Sequence, residues 1–405
     1  MQRIYFDHGA TTQTDVAVAK AVMEAMVENY GNPSSIHSFG RNARKAIEEA
    51  REKVAALINA QPAEIYFTSG GTEADNLAIK GVALANQKRG NHIITSAIEH
   101  HAVLHACEYL EKQGFTVTYL PVDKYGMVDP EAVRQAINNK TILVSVMMAN
   151  NEVGTIQPIK EIAAIAKEVG AYFHTDAVQT VGNIEVDVKE MGIDLLSLSG
   201  HKFHGPKGVG ALYIRKGVKV VPIQHGGGHE RKLRPGTENV PGIVGLGIAS
   251  EIAKKELPSK VERLLKLRTK LISTVLKNID HVQLNGHKDK RLPGNANFSF
   301  EFVEGESLLL NLDLKGIAAS SGSACTSGSL DPSHVLLAMG LTHEVAHGSL
   351  RLTLGRANTE QEVDYFLEVI PAIVGRLRSM SPLYGCSVQS IRRSEVCEHC
   401  HGDSQ

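Results

Sequence analysis

Residues 194–215 read DLLSLSGHKFHGPKGVGALYIR: an apolar run, a glycine-containing loop that carries Lys202, and a second apolar run. Runs this apolar suit strands buried on both faces, the kind that sit inside a covered sheet. Moving toward the N-terminus, EIYFTS, NHIITS, FTVTYLPV, TILVSVMMA and AYFHTDAV repeat the pattern from about residue 63 onward. Between them, stretches such as EADNLAIKGVALANQ and PIKEIAAIAKEV carry a helical period. Alternating strand and helix predicts an α/β fold with a mostly parallel sheet covered by helices on both sides.

Moving the other way, the glycine-rich GGGHERKLRPGTENVPG leads into a helical region from about 243 to 279, rich in Lys, Arg and Leu, which is expected to bridge two domains. Beyond it HVQLNG, NANFSFEF, KGIAAS and SLRLTLG read as strands, with an amphipathic helix near 360–378. The expected layout is a large domain over 16–257 and a small α/β domain from 1–15 with 258–385. The last residues, 386–405, lose the apolar period and read as a tail.

At 405 residues the chain can bury a large core. Its 43 Lys and Arg against 44 Asp and Glu leave no charge excess for a nucleic-acid backbone or an anionic membrane. MQRIYFDHGATT lacks a basic stretch followed by an apolar one, and no apolar segment approaches a membrane span. A cytoplasmic protein is expected. The five cysteines are too few and too unevenly spread for a disulfide framework.

Lys202 follows a strand, and strand ends are where ligands gather in open α/β sheets. A partly desolvated lysine there can condense with an aldehyde cofactor, although an ordinary surface lysine fits the same position. In FTSGGTEADN, Gly70, Gly71 and Thr72 leave backbone N–H groups free to hold a phosphate where a helix starts. In HTDAVQT, Asp176 ends an apolar strand, where it can pair with a protonated pyridine nitrogen or simply cap the next turn. Lys202 comes 26 residues later. Cys325 lies in SSGSACTSGS, a run of small polar residues and glycines that predicts an exposed loop and removes the usual packing reason for a cysteine. An accessible thiol of this kind suits sulfur chemistry.

SGGTEADN, IEHHAV, NNEVG, HTDAVQ, SGHKFHGPKG, RPGTEN and SSGSACTSGS stand in this order along the chain. With them the sequence resembles the cysteine desulfurases, class-V aminotransferase-fold enzymes of the type that serves iron–sulfur cluster assembly. The resemblance runs from FDHGATT at residue 6 to RLRSMSPLY ending at 384. It implies the aminotransferase-like fold (fold type I), pyridoxal 5′-phosphate as cofactor, L-cysteine as substrate and a homodimer. By position it implies that Lys202 holds the cofactor, Asp176 faces its pyridine nitrogen, Gln179 reaches its phenolic oxygen and Asn151 contacts its ring. Gly71, Thr72, Ser199 and His201 would bind the phosphate, joined by Thr237 from a second subunit. His100 would stack on the ring and help move protons, and Arg351, with Asn32 assisting and Arg356 as a nearby competitor, would clamp the substrate carboxylate. Cys325 would receive the sulfur as a persulfide, pass it to a scaffold protein or other acceptor, and serve as a transient iron–sulfur ligand with that scaffold.

Two other readings remain at this level: a selenocysteine lyase or transaminase on the same fold, and a metal- or cluster-carrying module acting through Cys386, Cys397 and Cys400. Cys397-Glu-His-Cys400-His401 formally matches a haem-attachment pattern, but the N-terminus offers no export route. A metal site from the tail cysteines and a histidine is chemically reasonable, beside a tail with free thiols. His101 with His105, and His225 with His229, invite metal readings too, but with little carboxylate or thiolate beside them structural or cofactor-loop roles are favoured.

Overall fold

The structure is a computed structural model that describes residues 3–322, 332–382 and 384. Cys325 and the three tail cysteines, Cys386, Cys397 and Cys400, lie outside the described residues.

The chain begins with the short strand β1 (Ile4–Tyr5), then α1 (Val16–Val27) and α2 (Ser38–Leu57). The alternation follows: β2 (Ile65–Thr68), α3 (Gly71–Asn86), β3 (His92–Ser96), α4 (His101–Glu111), β4 (Thr116–Leu120), α5 (Pro130–Ala136), β5 (Thr141–Ser145), α6 (Ile159–Glu168), β6 (Tyr172–Asp176), β7 (Leu195–Ser199) and β8 (Gly210–Ile214). These strands form one sheet in the order β2-β8-β7-β6-β5-β3-β4. Only β8 runs against its neighbours, β2 and β7; the other pairs are parallel. Each of the seven apolar runs read from the sequence is a strand of this sheet.

Strand periodicity sorts the side chains by face. Ile93, Leu143, Leu195 and Leu212 pack with Ala74, Leu77 and Ala78 of α3 and Val103 and Leu110 of α4. Their neighbours Ile94, Val144, Leu196 and Ala211 pack on the opposite face with Ile47 of α2 and Ile162 of α6. Both faces are covered, so β3, β5, β7 and β8 are buried along their whole length. Cys107 belongs to the first of these layers as a free buried thiol, and burial pushes it up to about 12, so it is packing rather than nucleophile.

Helix α7 (Val240–Asn278) is 39 residues long and continuous, with Pro258 inside it. Its first part adds Val240, Ile243, Leu246 and Ala249 to the sheet core, and its last part adds Leu264, Leu267, Leu271 and Val275 to a second core. That second core is built on β9 (Val282–Leu284), β10 (Asn295–Phe300), α8 (Gly305–Leu314), β11 (Ile317–Ala318), α9 (His334–Ala338), α10 (His343–His347), β12 (Ser349–Thr353) and α11 (Glu360–Met380). A three-stranded antiparallel sheet, β12-β10-β9, carries Phe298, Phe300, Leu350 and Leu352 against Phe6 and Phe366. The KGIAAS run is a shorter strand than its composition suggests. Gly316, at φ +80°, turns the chain immediately before it; Ile317 and Ala318 pair with β1, and Ser320 adds a single bridge to Arg351 of β12.

Candidate active site

The ends of the sheet strands position the site, as the arrangement of open α/β sheets requires. β2 leads into Gly70 and α3, β3 into His100, β5 into Asn151; β6 ends at Asp176; β7 ends at Ser199 and turns into Lys202. The N-terminal segment after β1 crosses the same edge. Lys202 Nζ donates to the carbonyls of Gly9 at 2.7 Å and Ala10 at 2.8 Å, and Gln179 Nε2 donates to Gly9 O at 2.8 Å.

Gly71, Thr72, His100, Asn151, Asp176, Gln179, Ser199, His201, Lys202 and Arg351 line one cavity of about 260 Å³. Ten of the residues expected from the sequence thus meet in one place, from segments up to 280 positions apart. Asn32 is exposed and does not line the cavity; its Oδ1 accepts from Ser34 N at 2.9 Å. Thr237, expected to act on a second subunit, is exposed and also apart from this cavity. Arg356 pairs with Asp15 and with Glu256, the latter at 3.1 Å, which leaves the cavity cation to Arg351.

Asp176 is buried and its Oδ1 accepts from Val178 N at 2.9 Å, so it caps the turn and still faces the cavity. Burial raises its carboxyl, against the pull of that N–H and of Lys202. Asp75, one turn into α3, is fully enclosed beside it; burial first and the Asp176 charge second push it well above the usual carboxylate range. Asp75 Oδ1 has no hydrogen-bond partner and lies 3.6 Å from His174 Nε2. His174, held between Ser145 Oγ at 2.8 Å and Ser197 Oγ at 3.0 Å, is pushed down to about 3 by burial and stays neutral. Two buried carboxyls with one orphaned oxygen are a place for a cation.

At the N-terminus of the same helix the charge preference reverses. The N-terminus of α3 opens the cavity through Gly70, at φ +155°, and Gly71, where a Cβ would come within 2.7 Å of Val178 Cγ2. Backbone N–H groups there favour an anion. His201 stands beside them, its Nδ1 3.1 Å from Thr11 Oγ1, lowered to about 4 by burial and by Lys202. His100 caps α4 through Nδ1, which accepts from Ala102 N at 3.1 Å, and burial with the Lys202 charge lowers it to about 4. Its ring is therefore a neutral base near pH 7. A lysine between an anion cradle and a buried acid fits a phosphorylated pyridine aldehyde: Lys202 for the aldehyde carbon, Asp176 for the ring nitrogen, Gly71 and Thr72 for the phosphate.

Arg351 on β12 is 2% exposed, with Nη1 on Asn151 O at 3.1 Å and Nη2 on Asp7 Oδ1 at 2.9 Å, while its Nε is buried without a partner. It presents a positive charge to the same cavity. Asp7, Asp75, Glu99 and His174 escaped the sequence reading. Asp7, Asp75 and Glu99 lie within FDHGATT, SGGTEADN and IEHHAV, so the motifs flagged their neighbourhoods but not their partners. Among the described residues no group of three or more His, Cys, Asp or Glu is arranged to hold a metal ion, although the His101 and His105 rings lie 5.1 Å apart.

The fold and this site define a pyridoxal-phosphate enzyme, and the chain belongs to the class-V aminotransferase family, which matches residues 4–366. Its curated relatives are more particular. It is 62% identical over 380 residues to the cysteine desulfurase IscS of Methanosarcina thermophila, covering 94% of each chain. It is 57% identical over 381 residues to the cysteine desulfurase IscS of Dictyoglomus turgidum, covering 94% of this chain and 97% of the relative. Among solved structures, a NifS-like protein superposes with a TM-score of 0.87 at 44% identity, over 92% of this chain and 100% of that one. The NifS-like protein from Rickettsia africae gives a TM-score of 0.83 at 34% identity, over 92% and 99%.

Proposed function

We propose that this chain is a cysteine desulfurase that converts L-cysteine to L-alanine and leaves the sulfur as a persulfide on Cys325, for delivery to iron–sulfur assembly. The observation that carries the reading is the single cavity joining Lys202, Asp176, His100 and Arg351; relatives named cysteine desulfurase, one of them 62% identical, support it.

Pyridoxal phosphate, when bound, supplies a sink for electrons at the substrate Cα. Arg351 pairs with the substrate carboxylate through its planar fork, held in direction by Asp7 and Asn151 O. Lys202 takes the Cα proton, and the neutral His100 ring accepts and returns protons beside it. The Cys325 thiolate attacks the substrate sulfur. The new S–S bond forms as the Cβ–S bond breaks, its electron pair leaves on carbon, and protonation of Cβ together with return of a proton to Cα gives alanine.

A homodimer is part of this reading. Val16, Met23, Met26, Val27, Tyr30, Ile36 and Phe39 are large apolar side chains exposed on α1, the segment after it and the start of α2, a concentration along the chain that supports burial against a second copy. Asn32 belongs to that segment, and Thr237 would reach the partner's cavity. The two-domain division at 257/258 is supported by α7, whose apolar residues change core on either side of Pro258. No helix among the described residues is long and apolar enough to cross a membrane, which is compatible with a cytoplasmic site of action.

The test is incubation with L-cysteine, alanine quantification and mass spectrometry of the protein. Cys325→Ser is expected to keep the cofactor's visible absorption and lose both persulfide and sulfide. Undiminished alanine production by that variant sinks the acceptor role.

A further inference from the structure

Glu152 is buried, at 4% exposure, yet it does not line the cavity and no step above uses it. Its backbone is fixed from both domains. Asn150 Oδ1 accepts from Glu152 N at 2.9 Å, while Glu152 O accepts from Asn295 Nδ2 at 3.0 Å and Asn297 Nδ2 at 3.2 Å on β10. The preceding residue, Asn151, gives its carbonyl to Arg351. A buried carboxylate needs partners of its own. Glu152 takes its hydrogen-bond donor from one of the two described chain ends that flank Cys325 and packs against the other.

On the C-terminal side, Ser333 Oγ donates to Glu152 Oε2 and at the same time caps α9, accepting from Val335 N at 3.1 Å. On the N-terminal side Gly322 packs close to the same oxygen, while its N donates to Ser320 Oγ at 3.2 Å. A Cβ there would stand 3.0 Å from Glu152 Oε2, a tight approach, and φ is +90°, a conformation that favours glycine. Gly322 follows Ser320, which exchanges backbone hydrogen bonds with Arg351 at 2.6 and 3.2 Å, and Ser321, whose carbonyl accepts from Ser349 Oγ at 3.0 Å. Burial raises the Glu152 carboxyl, while the Ser333 hydroxyl and the Arg351 charge lower it.

We propose that Glu152 is a positioning residue for sulfur transfer: its carboxylate accepts from Ser333 and packs against Gly322 beside Arg351, and so biases where Cys325 meets the sulfur of a substrate held by Arg351. This rests on the desulfurase reading and deepens it. Glu152 touches neither substrate nor reacting atoms.

The experiment separates the cofactor-side chemistry from the sulfur step in full-length holoenzymes of wild type, Glu152→Gln, Ser333→Ala, Ser333→Thr and Cys325→Ser. Exchange of the L-alanine α-proton in D₂O reads Lys202 and the cofactor without calling on Cys325. Single-turnover persulfide formation, read by mass spectrometry, calls on both. Glu152→Gln and Ser333→Ala are expected to exchange alanine within about twofold of wild type, a ratio that reports intact cofactor-side catalysis. Their persulfide formation is expected to slow roughly tenfold to a hundredfold, the scale on which a small misplacement of a reacting group acts. Ser333→Thr, which keeps the hydroxyl, is expected to restore most of that rate. Persulfide formation at the wild-type rate in both variants overturns the inference, as does an equal fall in exchange and persulfide formation, the mark of a merely structural role. If Cys325→Ser still produces alanine at the wild-type rate, the acceptor reading itself fails, whatever the Glu152 variants do.

Discussion

A carboxyl sealed from water keeps its proton, and Glu99, next to His100, is such a group. Its Oε1 accepts from Ser96 Oγ at 2.5 Å and Met147 N at 2.9 Å, its Oε2 has no partner, and burial pushes it up to about 8. Unfolding returns it to the ordinary glutamate range, so between about pH 4.5 and 8 the native state holds a proton that the unfolded chain releases. That contribution to stability is full below the lower limit and is lost as pH rises through the upper one. Glu99→Gln, which cannot ionise, is therefore expected to show a smaller drop in urea midpoint between pH 5 and pH 9 than wild type. An identical drop in the two proteins would remove Glu99 from the account. Single residues were legible in the sequence to the extent that position along an element gave them a role. Lys202, Asp176 and Thr72 stand at strand ends or a helix start, which a linear pattern reveals. Asp7 was not legible as the partner of Arg351, because 344 positions separate them and only the paired strands bring them together.

At the scale of elements, the segment between β8 and α7 is held in a costly shape. Glu230, Arg231 and Lys232 all have left-handed φ, at 43°, 54° and 70°, a region that side-chain-bearing residues avoid. What holds them is Arg51 of α2, which grips the Glu230 carboxylate at 2.8 and 2.9 Å while Phe67 N of β2 donates to it at 2.8 Å. Both side chains are almost fully buried, at 3% and 1% exposure. Removing one member of such a pair strands the other charge, so Arg51→Met is expected to destabilise the fold by about 3–5 kcal/mol in urea unfolding. A loss near zero would mean that water reaches Glu230 and the segment needs no such anchor. The sequence announced the glycines of this segment but not its anchor, since a buried arginine inside an amphipathic helix reads as one more charged residue. The sheet strands were legible for the opposite reason. Burial on both faces makes each strand apolar throughout, and that pattern survives in one dimension.

For the whole molecule, Ile36 at 92% exposure and Tyr30 and Val16 at 68% mark a face that a second copy would cover. Ile36→Glu with Met26→Glu is expected to shift the protein from dimer to monomer in sedimentation velocity, with weaker cofactor retention if Thr237 serves the partner's site. A wild-type protein that sediments as a monomer at all concentrations would refute the dimer. Which faces pair between copies leaves little trace in composition, because exposed apolar residues scatter over every surface. The ties at Gly322 and Ser333 have a different consequence, one for how such a protein can diverge. Once both ends of a segment are fastened to the body, the entropic penalty of lengthening what lies between grows by only about 0.6 kcal/mol per doubling. Apart from Cys325 itself, the nine residues 323–331 can then vary at that small cost while Lys202, Asp176 and the α3 N-terminus stay as they are. On the desulfurase reading proposed above, new recipients for the sulfur could be explored by altering the rest of that stretch, without renegotiating the chemistry beneath it.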